Sequence, residues 1–113
     1  MDITNDSFIN SLNDGIIIIN RDRIIQKINK KIEQMYGYTK SELIGKNINI
    51  LIPEPHRSKH DTYVKNYLKT GKTHIINSTR TLVSLRKDGT RFPIELLVST
   101  IKDEYFIGVI RDI

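Results

Sequence analysis

With 113 residues, 38% of them apolar, the chain has the material for one globular domain with one core, and not for two. It has no cysteine, which excludes structural disulfides, thiolate zinc sites, c-type haem attachment and chromophore chemistry through a thiol adduct, and makes the cytoplasm the default location. The net charge is +5, but the basic residues (Arg21, Lys30, Lys46, Lys65, Arg86 and Arg111 among them) are scattered among acids, so they read as a solvated face and not as a nucleic-acid surface.

Residues 4–13 are expected to form a short amphipathic helix with Phe8, Ile9 and Leu12 on one side. GIIIIN (15–20) and IIQKI (24–28) read as two strands joined by a tight turn at Arg21–Asp22. The segment before GIIII is acidic and polar, which argues for a buried strand and against a signal-peptide core. No apolar run approaches the length of a membrane span. Residues 29–36 are expected as a helix ended by Gly37. Thr39 and Glu42 make a T-x-x-E capping box for a second short helix ending at Gly45. NINILI then runs to Pro53 and Pro55, which break the chain before a longer helix over 57–69, ended by Gly71.

Three longer strands are expected at 75–86, 90–101 and 105–112, with Asp88–Gly89 as a two-residue hairpin turn. In the middle strand Phe92, Ile94, Leu96 and Val98 point one way and Arg91, Glu95 and Ser99 the other. A strand pair, helices and a three-strand meander add up to an α+β domain spanning 1–113. Its expected form is one five-stranded antiparallel sheet with the helices packed on one face.

The most informative segment is HRSKHDTYVKNYL, residues 56–68. At ~100° per residue, His60, Tyr63, Val64, Tyr67 and Leu68 fall within an arc of roughly 140°, with Lys65 and Lys69 on the far side. An imidazole inside an apolar stripe needs a partner, either a hydrogen bond or a metal. Periodicity alone leaves both open, and a core histidine bonded to a carbonyl is the commoner case. His74 and Arg80 follow closely. A histidine facing an apolar pocket, with cations nearby, suits a flat apolar metal complex with acidic tails, which describes haem. His56 and His60 are four apart and could share a zinc ion, but Arg57 and Lys59 between them repel a cation.

With this element order, RKDGTRFPIEL in the late hairpin and FIGVIRDI at the end, the chain resembles PAS domains over essentially its whole length. The middle, NILIPEPHRSKHDTYVKNYLKTGKTHII, is similar to the haem-binding PAS domains of the FixL oxygen-sensing kinase family and aligns with them without a gap through Val98. The resemblance implies that His60, in an HD-x-x-Y element completed by Asp61 and Tyr63, is the proximal iron ligand of haem b. It implies a propionate contact for His74 and a mobile arginine at Arg80, which leaves a propionate to reach the gas. It also implies an apolar distal wall from Ile75, Leu96 and Val98. Tyr63 and Tyr67 would wall the proximal side, because helix geometry sets them beside His60. One position departs from the family pattern. The helix arginine that holds a propionate is Asn66 here, and an amide supplies neither charge nor a bidentate fork.

The expected function is therefore sensory, in signal transduction of the two-component kind. A haem-b PAS domain would detect a diatomic gas, oxygen foremost, act as a homodimer and signal to a C-terminal output domain outside these residues. That output could be a histidine kinase or a cyclic-dinucleotide enzyme. The alternative is a PAS domain without haem that serves as a dimerisation or relay module, with the N-terminal helix as contact surface. Flavin binding has less support, because no amide pair suited to an isoalloxazine edge is evident. No nucleophile–base constellation and no paired carboxylates point to an enzyme.

Overall fold

The structure, a computed structural model, describes residues 5–53, 79–102 and 104–113. The helix expected over 57–69, with His60, Tyr63 and Tyr67, lies outside the described residues, as do His74 and Ile75.

The first element is a short helix, α1 (Asp6–Asn10), capped by the Asn5 side chain. It is shorter than the expected 4–13, and it buries Ile9 while Phe8 and Leu12 stay largely exposed. The cause is a competing partner. The Asn29 side-chain amide donates to the Ile9 carbonyl at 2.8 Å, and the Ser11 hydroxyl turns back to the Phe8 carbonyl.

The two early strands are β1 (Gly15–Asn20) and β2 (Ile25–Ile28). Their turn is wider than Arg21–Asp22 alone. Arg23 adopts φ 68, its N–H donates to the Asn20 carbonyl, and the Asn20 N–H donates to the Ile24 carbonyl. A turn closed by one left-handed residue matches the twist of paired strands. Asn20 favours it, because its side-chain oxygen accepts from both Asp22 and Ile24 N–H groups.

Helix α2 (Lys30–Tyr36) starts at the Asn29 cap and ends at Gly37, φ 83, as the sequence suggests. Helix α3 (Lys40–Leu43) carries the expected capping box: Thr39 Oγ1 accepts from the Glu42 N–H, and the Glu42 carboxylate accepts from the Thr39 N–H. Residues Ile48–Leu51 then wind into a single 3₁₀ turn capped by Asn47.

The late strands are β3 (Thr79–Leu85), β4 (Arg91–Ile101) and β5 (Tyr105–Asp112). The β3–β4 loop is also longer than the two residues Asp88–Gly89 suggested. Gly89, at φ 89, donates to the Arg86 carbonyl, and the Arg86 N–H donates to the Thr90 carbonyl. Both hairpins thus close through three residues with a left-handed residue third.

All pairings are antiparallel, in the order β2-β1-β5-β4-β3. The α+β class and the five-stranded sheet are as expected. Ile17, Ile19, Phe92, Ile94, Phe106 and Ile110 face α2, α3 and the 3₁₀ turn and form the main core with Ile32, Tyr36, Leu43 and Leu51. The opposite face carries a smaller cluster of Ile16 and Ile18, with Ile107 and Val109 beside them, closed by Ile9 of α1. GIIII is therefore buried on both sides, which is why it reads as an unbroken apolar run. No helix among the described residues is long and apolar enough to cross a membrane.

Candidate functional site

The register of β3, β4 and β5 decides which of the expected site residues share a face. Arg80 pairs with Leu96, and Leu96 pairs with Ile110 on its other side. Val98 pairs with Gly108, and Gly108 pairs with Ile17. Directly opposite residues project to the same side of a sheet. Ile17 and Ile110 belong to the main core, so Arg80, Leu96 and Val98 all lie on the core face. Leu96 and Val98 are half-buried and pack against that core. Arg80, also half-buried, stands at the β3 end of the Ile110–Leu96 row. The three expected site residues that are described thus form one patch, with an apolar middle and a cation at its edge.

The patch is firmly positioned at its far end. Ser84, on β3 four residues beyond Arg80, is buried and donates to the Leu51 carbonyl at 2.9 Å. The Tyr36 hydroxyl lies 2.6 Å from Ser84 Oγ. Burial pushes the Tyr36 pKa up to about 12, opposed by the Ser84 bond, so the phenol stays neutral. The Tyr36 ring meets Phe92 edge-on at 5.1 Å, and the Arg86 guanidinium covers Phe92 at 3.9 Å. Arg86 also donates to the Met35 carbonyl at 3.2 Å near the end of α2, where a cation is favoured. An open cleft of about 430 Å³ lies here, lined by Met35, Gly37, Arg86 and Lys87 among others, and none of Arg80, Leu96 or Val98 lines it.

Two features of the patch are not named by the sequence reading. Gly108 sits in its centre, opposite Val98, and the signal available was a lone glycine inside the apolar strand FIGVI. Ser84 left no signal, because its partners Tyr36 and Leu51 are distant in sequence.

Between the polar ends of this face at Thr100 and Asp112, its middle positions (Phe92, Ile94, Leu96 and Val98 on β4; Phe106, Gly108 and Ile110 on β5) offer no side-chain hydrogen bond. Such a surface suits a flat apolar group. Arg80 at its edge suits a carboxylate on that group.

The sensor protein FixL of Bradyrhizobium diazoefficiens is 38% identical over 110 residues, covering 95% of this chain and 22% of that protein. The oxygen sensor protein DosP of Escherichia coli is 30% identical over 101 residues, covering 87% of this chain and 13% of that protein. The chain therefore spans less than a quarter of either relative. Among solved structures, the LOV domain of the blue-light activated histidine kinase EL346 from Erythrobacter litoralis superposes with a TM-score of 0.70 at 24% identity, covering 90% of this chain and 97% of that one. The PAS fold model matches residues 5–113, the same span whose sheet runs β2-β1-β5-β4-β3, and the chain belongs to the PAS family.

Proposed function

We propose that this PAS domain binds haem b through His60 and detects a diatomic gas, oxygen foremost, on behalf of an output domain in the same protein. The observation that carries the reading is the pairing of Arg80 with Leu96, which sets a guanidinium at the edge of an apolar surface. The residues present fit the group: Leu96, Val98, Gly108 and Ile110 suit a porphyrin face, and Arg80 suits a propionate. The likeness to FixL and to the oxygen sensor DosP supports the same choice.

When bound, haem supplies an iron that takes up a diatomic gas. The chain does the rest. The His60 imidazole would hold the iron, Tyr63 and Tyr67 would wall its side of the ring, and His74 would contact a propionate. Ile75, Leu96 and Val98 would keep water and charge away from the other side. Arg80 would pair with a propionate and could instead donate a charge-assisted hydrogen bond to a polar gas. Loss of the propionate pair would then bias the sheet toward a second state for an output domain to read.

A light-sensing role through a thiol adduct lacks its nucleophile, because the chain has no cysteine. A relay and dimerisation module without haem is the second reading, favoured by exposed Phe8 and Leu12 on and just after α1. Haemin titration separates the two. The wild type is expected to take one haem per chain and, when reduced, to show a five-coordinate, high-spin spectrum. His60→Ala abolishes that binding. A variant with the wild-type Soret band and affinity would remove His60 as the ligand, and a wild type that takes no haemin would leave the relay reading.

A further inference from the structure

Gly15 and Gly108 both lie on the core face of the sheet, in adjacent central strands, and the surroundings of their missing side chains differ. A Cβ on Gly15 would fall 2.5 Å from Ile32 Cδ1 and 3.3 Å from Met35 Cε, so α2 packs where that side chain would be. A Cβ on Gly108 would meet, among the described residues, Leu96 Cδ1 at 3.4 Å and the Ile17 carbonyl oxygen at 3.8 Å, both ordinary contacts. Gly108 is also absent from the residues with positive φ, so its backbone conformation does not demand glycine. Glycine weakens a central strand, and one that neither its φ nor the packing of the described residues requires marks a place where something else comes close to the backbone.

Its neighbours say what that is. Gly108 stands between Ile17 and Val98 in one row across the sheet, next to the row of Ile110, Leu96 and Arg80. It is the one position in the middle of the patch with no side chain. We propose that Gly108 is a specificity-determining residue of this pocket, which keeps the sheet surface low so that a flat apolar ring lies against the β5 backbone. The proposal rests on the pocket reading given above and adds the position that limits how thick a ligand is admitted. A side chain here competes with the ligand for the same space, whereas one at Gly15 competes with the protein's own core.

The test uses Gly108→Ala, Gly108→Val and, as a packing control, Gly15→Ala, each measured in two ways. The first is the melting temperature of the haem-free protein. The second is affinity for haemin and, in parallel, for the fluorescent probe anilinonaphthalenesulfonate. Both Gly108 variants are expected to melt at or above the wild-type temperature, with Gly15→Ala below it. Gly108→Val is expected to weaken haemin binding by about tenfold or more, with Gly108→Ala intermediate. Gly108 variants that melt low like Gly15→Ala would make it a packing glycine and overturn the proposal. So would unchanged haemin affinity in a stable Gly108→Val. A wild type that takes no haemin overturns the haem reading instead, and Gly108 is then judged by the second probe. Loss of its fluorescence in stable Gly108→Val sustains the proposal, and retention overturns it.

Discussion

The Tyr36 hydroxyl and Ser84 Oγ are 2.6 Å apart in the core, and the direction of their hydrogen bond is fixed by a third group. Ser84 Oγ also lies 2.9 Å from the Leu51 carbonyl, which only accepts. A serine has one proton to give, so Ser84 gives it to Leu51 and Tyr36 gives its own to Ser84. The chain of bonds ties α2 to the 3₁₀ turn and to β3, the strand that carries Arg80. It is a direct polar link between the helical layer and the strand of the candidate site.

The direction makes the two deletions unequal. Tyr36→Phe removes one bond and leaves Ser84 donating to Leu51, at a cost of roughly 0.5–1.5 kcal/mol. Ser84→Ala strands both the Tyr36 hydroxyl and the Leu51 carbonyl, at roughly 1–3 kcal/mol for each group left unpaired. Urea unfolding should therefore rank Ser84→Ala as the more destabilised single variant, with the double variant less destabilised than Ser84→Ala because it removes the stranded phenol hydroxyl. Equal costs for the two single variants would reverse the donor assignment.

Asn29 governs how the N-terminal helix meets the sheet. Its side chain is fully buried and donates to the Ile9 and Asp14 carbonyls at 2.8 and 2.9 Å. Its oxygen accepts from the Ile16 N–H at 2.9 Å and the Ile32 N–H at 3.3 Å. Asn29→Asp keeps the acceptor and turns both donors into repulsion between a carboxylate and two carbonyls. The expected result is loss of α1 from the Ile16–Ile18 face while the main core holds. Amide hydrogen exchange would show it as lost protection at Ile9, with protection retained at Ile19 and Phe106. Uniform loss across the sheet would mean that Asn29 stabilises the domain as a whole.

Glu42 supplies a pH dependence. The Lys87 ammonium, and then the Thr39 N–H, hold its carboxyl down from 4.5 to about 2. A depressed carboxyl contributes stability above its unfolded pKa and loses it as pH falls through the folded one. The Glu42–Lys87 pair is exposed, so the effect is small and screened by salt. Glu42→Gln retains an oxygen for the Thr39 N–H and loses the ion pair. The variant should be less stable than wild type near neutral pH at low salt, with the gap closing between about pH 4.5 and pH 2. A gap that persists at pH 2 would assign the loss to the cap geometry alone.

The parts of the fold legible in the sequence are those whose causes are local. Thr39 and Glu42 announce their capping box within four residues, and Gly37 ends α2 where a left-handed residue is needed. Strand alternation put Phe92, Ile94, Leu96 and Val98 on one face, and the register confirms it. The features that escaped depend on distant partners. Helix α1 stops early because Asn29, twenty positions on, takes the Ile9 carbonyl. Both hairpin loops are a residue longer than their dipeptide signals suggested, because Arg23 and Gly89 each close the turn in the left-handed region. In the candidate site, the sequence named Arg80, Leu96 and Val98. That Arg80 stands directly opposite Leu96, and that Gly108 lies in the row beside them, required the strand register.

Arg80 decides between a gas switch and a passive haem pocket. It faces the same side of the sheet as Leu96 and Val98, at the edge of their apolar surface. Oxygen held by reduced haem draws partial negative charge, whereas carbon monoxide stays nearly neutral. A guanidinium turned toward the gas therefore holds oxygen selectively. Its charge-assisted hydrogen bond in a shielded pocket is worth roughly 1.5–3 kcal/mol, which corresponds to about tenfold or more in the oxygen dissociation rate. Arg80→Ala in haem-loaded protein should speed oxygen loss by that factor and leave carbon monoxide loss almost unchanged. The two gases control for each other, since a packing defect at Leu96 would alter both rates. Stopped-flow measurement of both decides the matter: a selective oxygen effect makes Arg80 the switch, and equal changes, or none, reduce it to a propionate anchor.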